Sequence, residues 1–449
     1  MINKKLNAPL RLILVTALLV LAFPALGADK PAAPATITKP AWLTEISIGI
    51  KEVYDDNVLG VSGDGPMRTE GSWVTTISPK LGFNLLPLFG KPKSLQTFSF
   101  GYAPDFVTYH NDTIGTNLSH ESFNLHRFTT VLKGKVDAFS FSFDNAVAYV
   151  DGDRESPVYS FPTDSTRAGY STGFPRERRE QVQDRAKVAL QYDWEKWFIR
   201  PTAALTYYDL LTRQKNLPGY QNYADRYDVN GGADLGYRLN PQLAVTLGYR
   251  YGHQFQEAYY FSPTKHAPND YQRALLGIEG KPWKWLTVSF QAGPDFRSYE
   301  SATDASVKDA DPVKYYGEGN LVVNATANDT VTFKYRQWQW VVSTGRIPYY
   351  DSSFDLTYRR KFSKDFFAEL GARMLEADYT TGSLPNAQRI DQQYSVAASL
   401  NYAVNANLAL NLTYSLDLGR NAEDAVPANM EKYREFDRQV VGLGAVFKF

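Results

Sequence analysis

The 449-residue chain has no cysteine. Its absence excludes disulfides, thiolate metal sites, a cysteine nucleophile and a lipidated-cysteine anchor. An excess of either charge is also missing, with 48 basic residues against 48 acidic ones. No basic footprint therefore points to nucleic acid. The five histidines, His110, His120, His126, His253 and His266, share no regular metal-ligand spacing, and no glycine-rich phosphate loop occurs. No cofactor and no metal are implied. Long apolar runs are lacking beyond the first 28 residues, which excludes a membrane protein built from helices.

That first run is informative. Lys4, Lys5 and Arg11 precede or enter an apolar stretch over residues 12–26, and Gly27 and Ala28 supply small residues for cleavage. Residues 1–28 read as a secretory signal peptide. Residues 29–41, rich in Ala, Pro and Thr, read as an extended periplasmic lead-in that cannot form a core.

From residue 42 to 449 the pattern has a period of two. Ile46, Ile48 and Ile50 alternate with Glu45, Ser47, Gly49 and Lys51, and Phe139, Phe141 and Phe143 alternate with Ala138, Ser140, Ser142 and Asp144. The chain closes on Val441, Leu443, Ala445, Phe447 and Phe449 against Gly442, Gly444, Val446 and Lys448. About eighteen such segments follow one another, each long enough for the ~9–11 residues of a tilted membrane strand. Terminal Phe449 is similar to the insertion signal of outer-membrane barrels, which implies barrel-assembly machinery and outer-membrane lipid as partners.

The connections alternate between tight and long. Residues 133–135, 195–196, 240–242, 282–284, 327–329, 363–365 and 405–407 read as short turns, and residues 86–93 as their one loose member. The intervening connections are longer, polar and rich in Gly, Pro and Asp. The fold expected is all-β: a transmembrane, antiparallel, up-and-down barrel with short periplasmic turns and long extracellular loops, in the outer membrane of a Gram-negative bacterium. Trp194, Trp197, Trp283, Trp285 and Phe366 beside the short turns suit an interfacial aromatic girdle.

A barrel of this size leaves an aqueous interior. The face opposite the apolar one carries Arg185, Lys187, Arg250, Lys334, Arg336, Glu369, Arg373 and Arg438, with Asp228, Asn230, Asp234 and Asn411, all candidates for lining the lumen. The longest outward loop, residues 151–180, resembles in position the pore-narrowing third loop of general porins. Its Arg154, Arg167, Arg176, Arg178 and Arg179 are the candidate constriction.

At the end of the first strand stands Tyr54-Asp55-Asp56-Asn57. Read by itself it is a turn initiator with outward carboxylates, which hard oxygen chemistry could turn to a divalent cation. The run resembles the β-barrel porin 2 family, outer-membrane barrels associated with exopolysaccharide loci. That resemblance implies a conduit for exopolysaccharide or capsular polysaccharide, fed by periplasmic and inner-membrane export proteins. The alternative is a passive diffusion porin for small solutes. An enzyme is not expected. His120 and Ser122 share a strand face, but no third group orients the base as nucleophilic catalysis needs, which leaves lipid hydrolysis as the weaker reading.

Overall fold

Alternating polarity gives each strand one apolar and one polar face, and in lipid the backbone N–H and C=O groups must find partners within the sheet. The chain meets both demands by closing the sheet on itself. The computed structural model describes residues 39–58, 60, 62, 69–90, 92–111, 122–151, 181–210, 225–257, 267–300, 313–341, 348–379, 389–423 and 435–449. The signal peptide and most of the lead-in lie outside these residues, and Ala41–Phe449 forms one compact unit.

The first strands are β1 (Leu43–Asp55), β2 (Ser72–Asn84), β3 (Leu95–Tyr102), β4 (Asp105–Tyr109), β5 (Ser122–Val136), β6 (Phe139–Asp151) and β7 (Gln181–Trp194). There follow β8 (Trp197–Asp209), β9 (Arg226–Asn240), β10 (Leu243–Gln256), β11 (Asn269–Trp283), β12 (Leu286–Tyr299) and β13 (Val313–Asn324). The last are β14 (Asp329–Trp340), β15 (Tyr349–Lys361), β16 (Phe366–Asp378), β17 (Arg389–Ala403), β18 (Leu408–Glu423) and β19 (Phe436–Lys448). All nineteen belong to one antiparallel sheet. β3 and β4 both pair with β2 and with β5 in a single register, so they form one stave broken at Ala103-Pro104. The barrel therefore has eighteen staves. No described helix is long and apolar enough to cross a membrane.

Turn positions follow local chemistry. Asp137-Ala138 joins β5 to β6 and Glu195-Lys196 joins β7 to β8. Asp137 and Glu195 take φ of 50° and 52°, the left-handed conformation that tight hairpins require. The turn expected at residues 133–135 is thus displaced. Gly134 lies within β5, paired with Phe141. A Cβ on it would come within 2.3 Å of the Phe141 ring, so glycine marks ring packing here rather than a turn. The loose connection after β2 winds into a single 3₁₀ turn, Leu86–Phe89.

The outward face is apolar. Leu247, Leu276, Val396, Leu370, Leu356 and Leu412 are all exposed, as only a lipid-facing wall tolerates. Trp194, Trp197, Trp283 and Trp285 are exposed beside the short turns. Trp283 stacks on Trp285 at 5.3 Å, and Phe362 on Phe366 at 5.2 Å. Rings that are apolar in body and polar at one edge belong at such an interface. A closed antiparallel barrel with this belt is the architecture of Gram-negative outer-membrane proteins, and the chain is an outer-membrane β-barrel.

Closure joins β1 to β19, from Ser47↔Lys448 to Asp55↔Val440. At its extracellular end Asp55 points into the barrel and grips Arg438 through both Nε and Nη2, with both side chains only 4% exposed. Asn57 donates its backbone N–H to Asp55 (3.1 Å) and its side-chain amide to the Asp437 carbonyl (3.0 Å). Asp56 accepts from the Gln439 N–H at 2.7 Å. Burial pushes the Asp56 carboxyl above its ordinary range, a shift that the Gln439 N–H partly opposes. The Tyr-Asp-Asp-Asn run is therefore a fastener of the seam. This corrects the reading of its carboxylates as outward metal ligands: Asp55 is taken up by a guanidinium. Among the described residues no group of three His, Asp or Glu could hold a metal.

Removing one partner strands a buried charge, which costs about 3–5 kcal/mol, whereas apolar replacement of both is nearly neutral. Arg438→Leu alone should lower the urea stability of the folded barrel by about that amount. Asp55→Val with Arg438→Leu should recover most of it. Equal losses in the single and double variants would show that the pair does not fasten the seam.

Candidate functional site

Inward-facing positions are fixed by register, because directly paired residues share a face. Arg185, Lys187, Arg250, Lys334, Arg336, Glu369 and Arg373 all fall on the face that carries Asp234, Glu318, Asp355 and Ser399. Arg438 shares that face but lines no chamber, because Asp55 occupies it. The expected constriction residues Arg154, Arg167, Arg176, Arg178 and Arg179 lie outside the described residues.

The lumen wall divides into three levels. Nearest the short turns, Arg200 forks onto Glu279 (2.9 and 2.8 Å) and reaches Asp234 (3.2 Å), while Arg238 pairs with Asp193 at 2.5 Å. At mid-height Arg250 donates to Asp234 at 2.7 Å, Gln291 to Glu318 at 2.5 Å, and Arg185 to the Tyr208 hydroxyl at 2.8 Å. Arg373 pairs with Asp355. Ser399 donates to Glu369 at 3.4 Å, and Arg336 pairs with Asp351 at 3.4 Å. Lys187 makes no ion pair among the described residues.

Toward the extracellular end the network becomes dry. Asp295 and Arg297 are fully buried, joined at 2.7 Å, and Arg273 adds a second bond to Asp295 at 3.0 Å. Arg297 also donates to Asn269 (2.8 Å) and Gln254 (2.9 Å). Asp228 accepts from Gln254 (2.9 Å) and from the Tyr271 hydroxyl (2.8 Å). Tyr271 lies flat because Gly252 leaves room: a Cβ there would sit 2.3 Å from the ring. The Arg273 guanidinium is held between the faces of Tyr271 (4.0 Å) and Tyr316 (4.2 Å), a cation–π clamp that preserves its charge. One nitrogen of Arg273 has no hydrogen-bond partner.

Above this network the end of β14 parts from β13 after Gly317↔Gln337, while staying paired with β15 to Trp340↔Tyr349. Arg226 of β9, five staves away, donates to the Val341 carbonyl at 2.7 Å. Gln254 of β10 donates to the Gln339 carbonyl at 3.0 Å. The Arg226 guanidinium lies 4.8 Å from the Tyr208 ring centre and 5.2 Å from that of Trp340. Trp338 stacks on Trp340 at 4.6 Å, and Trp340 joins Tyr208, Tyr349, Ala377 and Tyr379 in an apolar cluster. Residues 339–341 therefore cross part of the lumen. The sequence signal was there: two tryptophans two apart on an inward face, at the end remote from the short turns.

Below the crossing lie two connected chambers. The upper, of about 200 Å³, is lined by Arg185, Lys187, Arg250, Arg273 and Arg336 against only Asp228 and Glu318, with Tyr316 and Trp338 alongside. The lower, of about 470 Å³, balances Lys133, Lys187, Arg200 and Arg250 with Asp144, Asp234, Glu279 and Glu318. Lys187, Thr202, Arg250, Gln291 and Glu318 belong to both.

No protein-family model and no curated protein sequence matches this chain, so the resemblance to the β-barrel porin 2 family stands on its short motif alone. Among solved structures, the outer-membrane protein OpdK of Pseudomonas aeruginosa is 11% identical, with 90% of this chain and 99% of that one covered and a TM-score of 0.42. OccK2 (OpdF) of the same organism, in complex with glucuronate, gives 10%, 90%, 98% and 0.43. Acinetobacter baumannii OccAB3 gives 10%, 90%, 99% and 0.41. Scores this low leave strand-by-strand correspondence loose, and the architecture described above rests on the pairing of this chain's own strands.

The crossing segment should limit current. Trp340→Ala removes the ring on which Arg226 rests and frees the end of β14, so single-channel conductance in a planar bilayer should rise. An unchanged conductance would place the narrowest point elsewhere.

Proposed function

We propose that the protein is a passive diffusion channel for small anionic solutes across the outer membrane. The observation that carries this is the upper chamber. Its five cations face two carboxylates, and it lies beneath a segment that crosses the lumen. The carboxylates that pair with Arg250, Arg273 and Arg336 (Asp234, Asp295 and Asp351) do not line this chamber. Asp295 and Asp351 thus sit in the wall and Asp234 faces the lower chamber, so the upper chamber keeps a surplus of cations. Rings of one charge in a low-dielectric bore select permeant ions by sign.

Size argues in the same direction. The lower chamber, of about 470 Å³, is within the range of small-ligand sites, and the upper, of about 200 Å³, is smaller. A secreted polysaccharide chain needs a continuous bore, so this geometry supports the small-solute reading over polymer export. The charge-balanced lower chamber, with its bidentate Arg200–Glu279 pair, gives a solute exchangeable hydrogen-bond partners without holding it.

Assembly fits the same picture. Phe449 is 70% exposed at the short-turn rim, and its backbone N–H donates to the Ile46 carbonyl at 3.0 Å. A ring left free beside the closing seam suits recognition by barrel-assembly machinery.

Reversal potential under a salt gradient tests the proposal. The wild-type channel should favour the anion. Lys187→Glu, which turns a cation shared by both chambers and without an ion pair among the described residues into an acid, should move the reversal potential toward the cation. A cation-selective wild-type channel would refute the proposal.

A further inference from the structure

The wall of the barrel is not evenly stitched. Leu81↔Tyr102 and Ile77↔Phe106 lie on one continuous register between β2 and its neighbours β3 and β4. That register sets Pro79 directly opposite Pro104. In an antiparallel ladder, bonded and non-bonded pairs alternate. His110 donates to the Trp73 carbonyl and Leu85 to the Phe98 carbonyl, so the Pro79–Pro104 pair falls at a bonded position. Neither residue has an N–H. Both bonds of that pair are absent, and the next bonded positions are roughly 13 Å apart along the strands instead of half that.

One side-chain bond bridges the gap from inside, and a second, from β5, anchors its acceptor. Ser78 donates to Asp105 at 2.6 Å, and Arg127 donates to the other oxygen of Asp105 at 2.6 Å. Arg127 and Asp105 are each 5% exposed, and two nitrogens of Arg127 have no hydrogen-bond partner. On the lipid side Tyr102 and Phe106 flank Pro104, with the His126 ring 6.1 and 6.2 Å from theirs. On the lumen side, extracellular to the gap, Val74, Val107, Leu125, Ala148 and Val150 form an apolar cluster with Val53 and Tyr109 against it. An apolar strip of lumen wall thus ends at the one described place where both ladder donors of a bonded pair are missing.

We infer that this gap is a lateral portal, through which small apolar molecules pass between the lumen and the hydrocarbon of the bilayer. The Ser78–Asp105 bond is its latch, and Arg127 on β5 holds Asp105 in place. Parting the wall there breaks side-chain bonds only, whereas anywhere else along a continuous ladder it breaks backbone pairs that lipid cannot replace. The route is separate from the axial path past the basic chamber.

Two variants close it by independent means. Pro79→Val with Pro104→Val restores both N–H donors. Lys80→Cys with Ala103→Cys places thiols across the adjacent non-bonded pair, at roughly 4.5 Å between Cα atoms, within reach of a disulfide. The chain has no other cysteine to compete. Lys80→Cys alone serves as control, because Lys80 pairs with Glu45 at 3.1 Å. The readout is entry of the apolar dye N-phenyl-1-naphthylamine into cells with an intact lipopolysaccharide leaflet, with and without the protein. The wild-type chain should raise the entry rate several-fold. The valine pair and the oxidised cysteine pair should return it to the rate of cells lacking the protein. Reduction should restore entry in the cysteine pair, and axial ion conductance should not change in either. Dye entry that is the same in wild-type and locked forms, or no dye entry through the wild-type protein, would overturn the inference.

Discussion

The ion pair between Asp55 and Arg438 joins the first strand to the last, and the rest of the molecule depends on the closure it guards. An open sheet in hydrocarbon exposes a row of unpaired N–H and C=O groups, each costing several kcal/mol. Closure removes both edges together. Only then does one face of every strand become a lumen and the other a lipid contact. The pair is buried, bidentate and supported by Asn57 and Asp56, so the seam is held by side chains as well as by the ladder. Two residues 383 positions apart thereby pin the extracellular end of the ring that the β1–β19 ladder closes.

Inside that ring, charge is sorted by height. Carboxylate and guanidinium neutralise each other near the short turns and again in the dry network around Asp295. Between these levels the upper chamber keeps a cationic surplus, with Arg273 clamped between two tyrosine rings. The same economy shapes the glycines. Gly252 and Gly134 accept aromatic rings against the backbone, one in the lumen and one in the lipid. Where the ladder itself lapses, at Pro79 and Pro104, the Ser78–Asp105 bond takes over the stitching.

Much of this was legible in the sequence. Period-two alternation and the alternation of short and long connections are local properties, and they gave the barrel, its orientation and the aromatic girdle at Trp194, Trp197, Trp283 and Trp285. Strand parity placed Arg185, Lys187, Arg250 and Arg336 in the lumen. What parity cannot supply is a partner. Asp55 read as an outward carboxylate because its guanidinium lies at the far end of the chain. Gly134 read as a turn because the Phe141 ring that fills its place comes from the next strand. The crossing of the lumen by residues 339–341 depends on Arg226, a third of the way round the barrel, and Trp338 and Trp340 had no signature apart from their shared face. The family resemblance rested on four residues, of which Asp55, Asp56 and Asn57 here fasten the seam.

Solute flux decides the central claim most directly. The purified barrel would be reconstituted in liposomes, and swelling rates compared for three solutes: a small monocarboxylate, an uncharged molecule of the same size, and an oligosaccharide of several residues. A small channel with a cationic chamber predicts the fastest entry for the carboxylate, slower entry for its neutral counterpart and exclusion of the oligosaccharide. Entry of the oligosaccharide at a rate comparable to the small solutes would contradict the account and return the barrel to the export of polymers.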